Sequence, residues 1–374
     1  MAALAGAGLS GCASRAGSVA VPNGVIPRID PIHARMDRMF RITVCSRPFR
    51  AAGPRLDVEK VGEKTVVHNY GHGGSGWSLS WGSSAIAVEK AMGSGEKELA
   101  VIGCGALGLT SAILAQRAGA KVTIYAKERP PAVRSSRATG SWTPDSRVAL
   151  KSKTDVGFPA LWEKMARTSF HAYENYLGLA GNPIEWVDRY RLADMTSAPE
   201  SERNDGLDFG HYMDRIADIT PRSEELPPGR HGFGNRMAYK APSLTFNVAS
   251  YSHQLLTDFF VEGGKLETKE FHQPQELTSL PQKTIIHATG YGAKTLFDDK
   301  SIVPVRGQIA WLIPQPEVRY AVYHKGVVAL SRRDGIVVQS LGGGEMQGYN
   351  DPSEEPNQAE ASAAIDTIAR LFGS

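Results

Sequence analysis

Between Lys97 and Glu128 the spacing of apolar residues changes period twice. Leu99 to Ile102 is a short continuous apolar run, followed by glycines at Gly103, Gly105 and Gly108 and an Ala/Leu-rich stretch of helical spacing to about Arg117. Gly119 then stops the helix, and Lys121 to Tyr125 returns to a strand-like run. Strand, helix and strand in that order predict a βαβ unit. Upstream, the strand-like Val66 and Val67 break into "GHGGSG", Gly71 to Gly76, ahead of a helix expected over Gly82 to Met92. Downstream, Phe246 to Phe271 predicts a helix, a Gly-Gly turn and a strand, and Lys283 to Leu296 predicts a buried strand ending in Thr-Gly. Asp334-Gly335 marks a hairpin, and a final helix is expected over Asn357 to Phe372. Aromatic residues from Phe158 to Tyr190, with a polar stretch from Ser197 to Arg230, predict a second domain carrying a mobile loop. There are no internal repeats.

A chain of 374 residues is long for one core and predicts two domains with room for a large cofactor. Hydrophobic content of 41% and charged content of 22% are those of a globular protein rather than a disordered or membrane-spanning one. No apolar run reaches the ~20 residues of a spanning helix. Net charge is +3, and the excess of basic residues before residue 60 is scattered rather than clustered with aromatics, so a nucleic-acid partner is excluded. Cys12, Cys45 and Cys104 have neither metal-ligand nor disulfide spacing, and no metal is expected. "LSGC", ending at Cys12, is similar to a lipoprotein cleavage box, but the basic start of an export signal is missing. Two readings stay open: a lipid anchor at Cys12 with an envelope or periplasmic location, or a plain Ala/Gly leader on a cytoplasmic protein.

The glycine spacing has a chemical meaning in its strand-to-helix context. Gly103 permits a tight turn, Gly105 lets backbone amides of Ala106 and Leu107 approach a pyrophosphate, and Gly108 lets helix and strand pack closely. The helix N-terminus adds partial positive charge for phosphates. An ADP-containing cofactor is therefore expected. A ribose-binding carboxylate is expected near Lys127, and Glu128, one residue later, is the candidate.

These pieces, from about Phe40 to the end, resemble the D-amino-acid oxidase family of FAD-dependent oxidoreductases. "VIGCGALGLTSA" is similar to the family's FAD-binding opening, and "YAKERPPAVRSSRATGSWTP" to the loop that follows its second strand. "IIHATGYGA" is similar to its strand ending in Thr-Gly, and "VRGQI" to the start of the second half of its substrate domain. "VVHNYGHGGSGWSLSWG" and the preceding "RPFRAAGPRLDVE" resemble its C-terminal signature, although here they precede the nucleotide motif.

The resemblance implies an α/β fold, α+β overall: a Rossmann-type FAD-binding domain interleaved with a mixed-sheet substrate-binding domain, in circularly permuted order. A leader over 1–39 would precede an FAD-binding domain of 40–152 and 243–300, with the Arg50 strand at the domain interface, and a substrate domain of 153–242 and 301–374. It implies oxidative deamination of D-amino acids to 2-oxo acids, with oxygen as the second substrate and hydrogen peroxide as product. It also implies that Arg50 grips the substrate carboxylate and that Tyr239 faces the substrate. Gly74 and Ser75 would lie at the reacting centre. Gly73, Gly76, Trp77, Ser141, Trp142 and Gly290 would join Gly103, Gly105, Ala106, Leu107, Gly108 and Glu128 around FAD. His68 and His72 are not expected to act as general bases, because a neutral amine can lose hydride without one. Two alternatives remain: a glycine or secondary-amine oxidase or quinone-linked dehydrogenase of the same family, and a flavin-binding envelope protein without catalysis.

Overall fold

The computed structural model describes residues 28–193, 206–342 and 344–373. The leader with Cys12 and part of the expected mobile loop, 194–205, lie outside the described residues. In chain order the first part forms β1 (Met39–Arg50), β2 (Val58–Val61), β3 (Lys64–His68) and α1 (Ser80–Met92). The βαβ unit follows as β4 (Glu98–Ile102), α2 (Ala106–Arg117) and β5 (Lys121–Ala126). Then come α3 (Phe158–Glu174), β6 (Ile184–Ala193), β7 (Glu224–Leu226), β8 (Met237–Phe246), α4 (Val248–Val261), β9 (Lys265–Thr268) and β10 (Thr284–His287). The chain closes with α5 (Ala293–Leu296), β11 (Ile302–Leu312), β12 (Tyr320–His324), β13 (Val327–Arg332), β14 (Gly335–Ser340) and α6 (Gln358–Phe372).

The strands form two mixed sheets. The smaller runs β2-β3-β10-β4-β5-β9, parallel except for the β2–β3 hairpin. Its central strands are buried on both faces, which explains why Leu99 to Ile102 reads as an unbroken apolar run rather than an alternation. The larger sheet runs β1-β11-β14-β13-β12-β6-β8-β7, with β12 and β6 its one parallel neighbouring pair. α6 covers one face of it through Ile365 and Ile368.

Two placements differ from the expected division. β1, expected in the nucleotide-binding part at the domain interface, pairs along its length with β11 as an edge of the larger sheet. α3, expected in the substrate domain, packs on α1: Trp162, Met165 and Tyr173 share a core with Val67, Leu99 and Leu109. The aromatics of this stretch were legible in the sequence, but neither their helix nor its partner face is named by local pattern. The contact depends on Gly82, where any Cβ would overlap the Met165 backbone, and on the Gly82 amide donating to Ser169 Oγ at 2.8 Å.

Beneath the smaller sheet's C-terminal edge lies a buried polar chain. His68 and His287 share a hydrogen bond between their Nδ1 atoms at 2.9 Å. His68 Nε2 meets Glu59 at 3.0 Å and His287 Nε2 meets Thr289 Oγ1 at 2.7 Å. Burial holds both imidazoles below the usual histidine range, His287 further because His68 adjoins it. Released by unfolding, each takes up a proton below about pH 6.5, which the folded protein resists. Stability should therefore fall as pH drops from 6.5 toward 5, by up to about 1.4 kcal/mol per pH unit for each histidine. Melting temperatures across that window should follow this trend, and His287→Asn should flatten it.

Candidate active site

Three glycine-bearing turns meet where β3, β4 and β10 end side by side. Gly71–Gly76 follows β3, Gly103–Gly108 links β4 to α2, and Thr289–Gly292 follows β10. All three border one cavity of about 1380 Å³, whose opposite wall is the inner face of the larger sheet. That exceeds the ~300–1,000 Å³ of a typical small-molecule pocket and suits a dinucleotide with a substrate beside it.

At the nucleotide end Gly103 holds φ +111°, and a Cβ there would come 2.6 Å from the Ala288 carbonyl oxygen. A Cβ at Gly108 would overlap the Gly103 carbonyl, so this glycine lets α2 approach β4 and does not itself line the cavity. Gly103, Gly105, Ala106, Leu107, Glu128 and Gly290 all line it. Lys127, where a carboxylate was expected, pairs with Glu270 at 3.1 Å, and both border the cavity. The sheet thus presents a carboxylate there from the segment after β9, which spacing from the glycine motif could not reveal.

The middle of the cavity is framed by the Gly71–Gly76 loop and the segment Ser135–Arg147. Gly74 N and Ser75 Oγ both donate to the Ser146 carbonyl at 3.0 Å, and Trp77 Nε1 donates to the Ser135 carbonyl at 2.8 Å. Gly73 takes φ +55° against the Arg147 carbonyl, a place no side chain could share. Gly73, Gly74, Gly76, Trp77 and Ser141 line the cavity. Ser75 and Trp142 do not; Ser75 faces Ser146, and Trp142 packs edge-on to Phe170. His72 lines the cavity with neither ring nitrogen partnered, and burial, with Arg50 nearby, pushes its pKa down to about 3. It is neutral at physiological pH, so it can offer a hydrogen bond but is a poor proton acceptor.

Tyr239 lines the cavity under the guanidinium of Arg191, 4.4 Å from its ring centre. Arg50 does not line it. Its Nε donates to Ser301 Oγ at 2.8 Å, one terminal nitrogen to the Gly53 carbonyl at 2.9 Å, and Asp299 lies 3.4 Å away. The β1 arginine that lines the cavity near this end of the strand is Arg47, three residues earlier. Residues three apart on a strand point to opposite faces, so only one of the two can face the cavity. Arg47 lies over Gly307 of the neighbouring strand, where any side chain would overlap it. Parity along β1 separates the two arginines, but which of them meets the cavity is set by the long-range pairing with β11.

Comparison with known proteins settles the family. The FAD dependent oxidoreductase (DAO) family profile matches residues 98–374. The chain belongs to the FAD-dependent oxidoreductase family. The D-amino-acid oxidase of Rubrobacter xylanophilus is 27% identical over 265 residues, covering 70% of this chain and 73% of the relative. That of Dictyostelium discoideum is 25% identical over 213 residues, 56% of each protein. Glycine oxidase from Geobacillus kaustophilus shares the fold with a TM-score of 0.50 at 12% identity, over 74% of this chain and 78% of that one.

The residues of this FAD-dependent oxidoreductase fit the group. Gly103 and Gly105 leave the backbone bare at the N-terminus of α2, and His72 brings unpartnered ring nitrogens to the wall. No helix among its described residues is long and apolar enough to cross a membrane. Gly103→Ala, strained at positive φ and crowded by Ala288, should yield folded protein that purifies with little or no yellow colour. Flavin content per chain, measured alongside the melting temperature, checks this.

Proposed function

We propose that this protein oxidises D-amino acids to 2-oxo acids with FAD and oxygen, releasing hydrogen peroxide. The observation that carries the reading is Arg47, a half-buried guanidinium on the cavity wall opposite the glycine turns. Arg47 grips the substrate carboxylate, and a two-pronged grip fixes both position and angle. Gly74 and Gly76 keep their part of the rim free of side chains, so Cα can come close to the site's centre, and Tyr239 bounds the substrate side. Gly103, Gly105, Ala106 and Leu107, with the Gly73–Gly76 and Thr289–Gly292 turns, would hold FAD, which when bound would supply the acceptor for the hydride leaving Cα. The amides at the start of α2 and the Gly73–Gly76 turn favour negative charge on bound groups. Ser75 and Trp142 support this frame from behind, and Arg50 braces the turn after β1. The D configuration rests on the sequence resemblance and on the names of the relatives above.

The same reading includes a permuted chain order. The family match begins at β4, while the stretch resembling the family's C-terminal signature comes earlier, through β1 to α1. Gly93–Lys97 joins α1 directly to β4. The two sheets support division into an FAD-binding part and a substrate-binding part, with β1 assigned to the latter.

Purified protein should be yellow, and anaerobic D-amino acids should bleach it where L-isomers do not; bleaching by none of them overturns the reading. Arg47→Ala should keep its flavin and raise KM by roughly 10- to 100-fold, the loss of a charged hydrogen bond worth ~1.5–3 kcal/mol. Arg50→Ala should instead lower the melting temperature with little change in KM.

A further inference from the structure

We propose that the substrate carries a second anionic group besides its α-carboxylate, and that Arg189 receives it: the substrate class is a dicarboxylic amino acid. This rests on the amino-acid oxidation proposed above and narrows it.

On β6, Val187 and Arg189 alternate onto the sheet face that looks into the cavity. Val187 packs there with Ile309 and Ala321. Arg189 stands between Ala321 of β12 and Ala241 of β8, so its two cross-strand neighbours are alanines that leave the guanidinium uncovered. All three residues line the cavity. The Nε of Arg189 is buried with no partner, and the hydrogen bond it does make runs from a terminal nitrogen to the Leu244 carbonyl at 3.5 Å, the weak limit. Among the described residues no carboxylate lies within ion-pair distance of it.

Most other cations of this wall are already engaged. Arg134 and Arg137 face Glu354, Lys127 faces Glu270, and Arg147 donates to the carbonyls of Gly344 and Glu345. Arg191 covers the Tyr239 ring. Arg47 and Arg189 stand apart as guanidinium groups set into the wall without a carboxylate, their accessible surface opening into the cavity. Burial lowers both from the usual arginine range, Arg189 to about 10, so both remain charged at neutral pH. A desolvated cation without a counter-charge is costly to keep, and such groups concentrate at binding sites. One of the two suffices for an α-carboxylate. The second calls for another anion, and small flanking residues leave room for a carboxylate to meet the guanidinium fork.

Purified yellow enzyme is assayed with D-aspartate and D-glutamate against D-alanine and D-valine. The acidic pair should have the higher kcat/KM, and the ratio of D-glutamate to D-alanine should fall by roughly 10- to 100-fold in R189M. R189K keeps the charge but not the fork and should recover part of that ratio. Calorimetric titration with succinate and with propionate gives a readout independent of turnover: succinate should bind the wild type more tightly, and R189M should lose that preference. A wild-type preference for the neutral amino acids, or equal losses on both kinds of substrate in R189M, overturns the inference while leaving amino-acid oxidation standing. Turnover of no amino acid at all, with the succinate preference intact and dependent on Arg189, overturns the oxidation reading and keeps the dianion site.

Discussion

Everything in this molecule hangs on β10 being paired on both sides by strands from far earlier in the chain. Thr284–His287 lies in parallel register with Thr65–His68 on one side and Leu99–Ile102 on the other. The pairing runs beyond the strands: Asn69 N donates to the His287 carbonyl, and Ala288 N to that of Ile102, each at 2.9 Å. Three chain segments therefore leave the sheet at one level, and their turns form a single rim. Parallel strands put loops at the same end of a sheet, where ligands of such folds bind.

Glycine makes that rim usable. A glycine loop standing alone is merely permissive, but here three glycines have a neighbour that excludes a side chain: Ala288 at Gly103, Arg147 at Gly73, and Phe246 at Gly140. The backbone is consequently the surface that a ligand meets. The larger sheet is fastened to this rim by side chains crossing between the two units. Buried Arg332 donates to the Ala138 and Thr139 carbonyls and pairs with Asp334, while Thr139 Oγ1 donates to Gln339 at 2.6 Å. The cavity is thus a joint property of both sheets.

Charge is arranged with the same economy. Carboxylates accompany the arginines that act as braces, such as Arg50 with Asp299 and Arg306 with Glu360. Among the described residues Arg47 and Arg189, set into the cavity wall, lack one. Buried ion pairs are sensitive to loss of either partner, so a bracing arginine and a ligand-binding one differ less in burial than in the company they keep.

The sequence by itself determined the βαβ unit, its three spaced glycines, the "GHGGSG" loop, the hairpin at Asp334-Gly335 and the closing helix, because each is a local pattern with a local cause. β13 and β14 meet at Arg332 and Gly335, and α6 begins after an Asn357 cap that accepts from the Glu360 amide. Only the tertiary structure decided which residues face the cavity. Arg47 and Arg50 look alike in sequence, yet strand parity sends one over Gly307 and the other to Asp299. The partners of α3, the edge position of β1 and the exposure of Arg189 between two alanines depend on strands far apart along the chain. Local spacing records the face a residue shares with its neighbours in sequence; what that face meets is set by packing at long range.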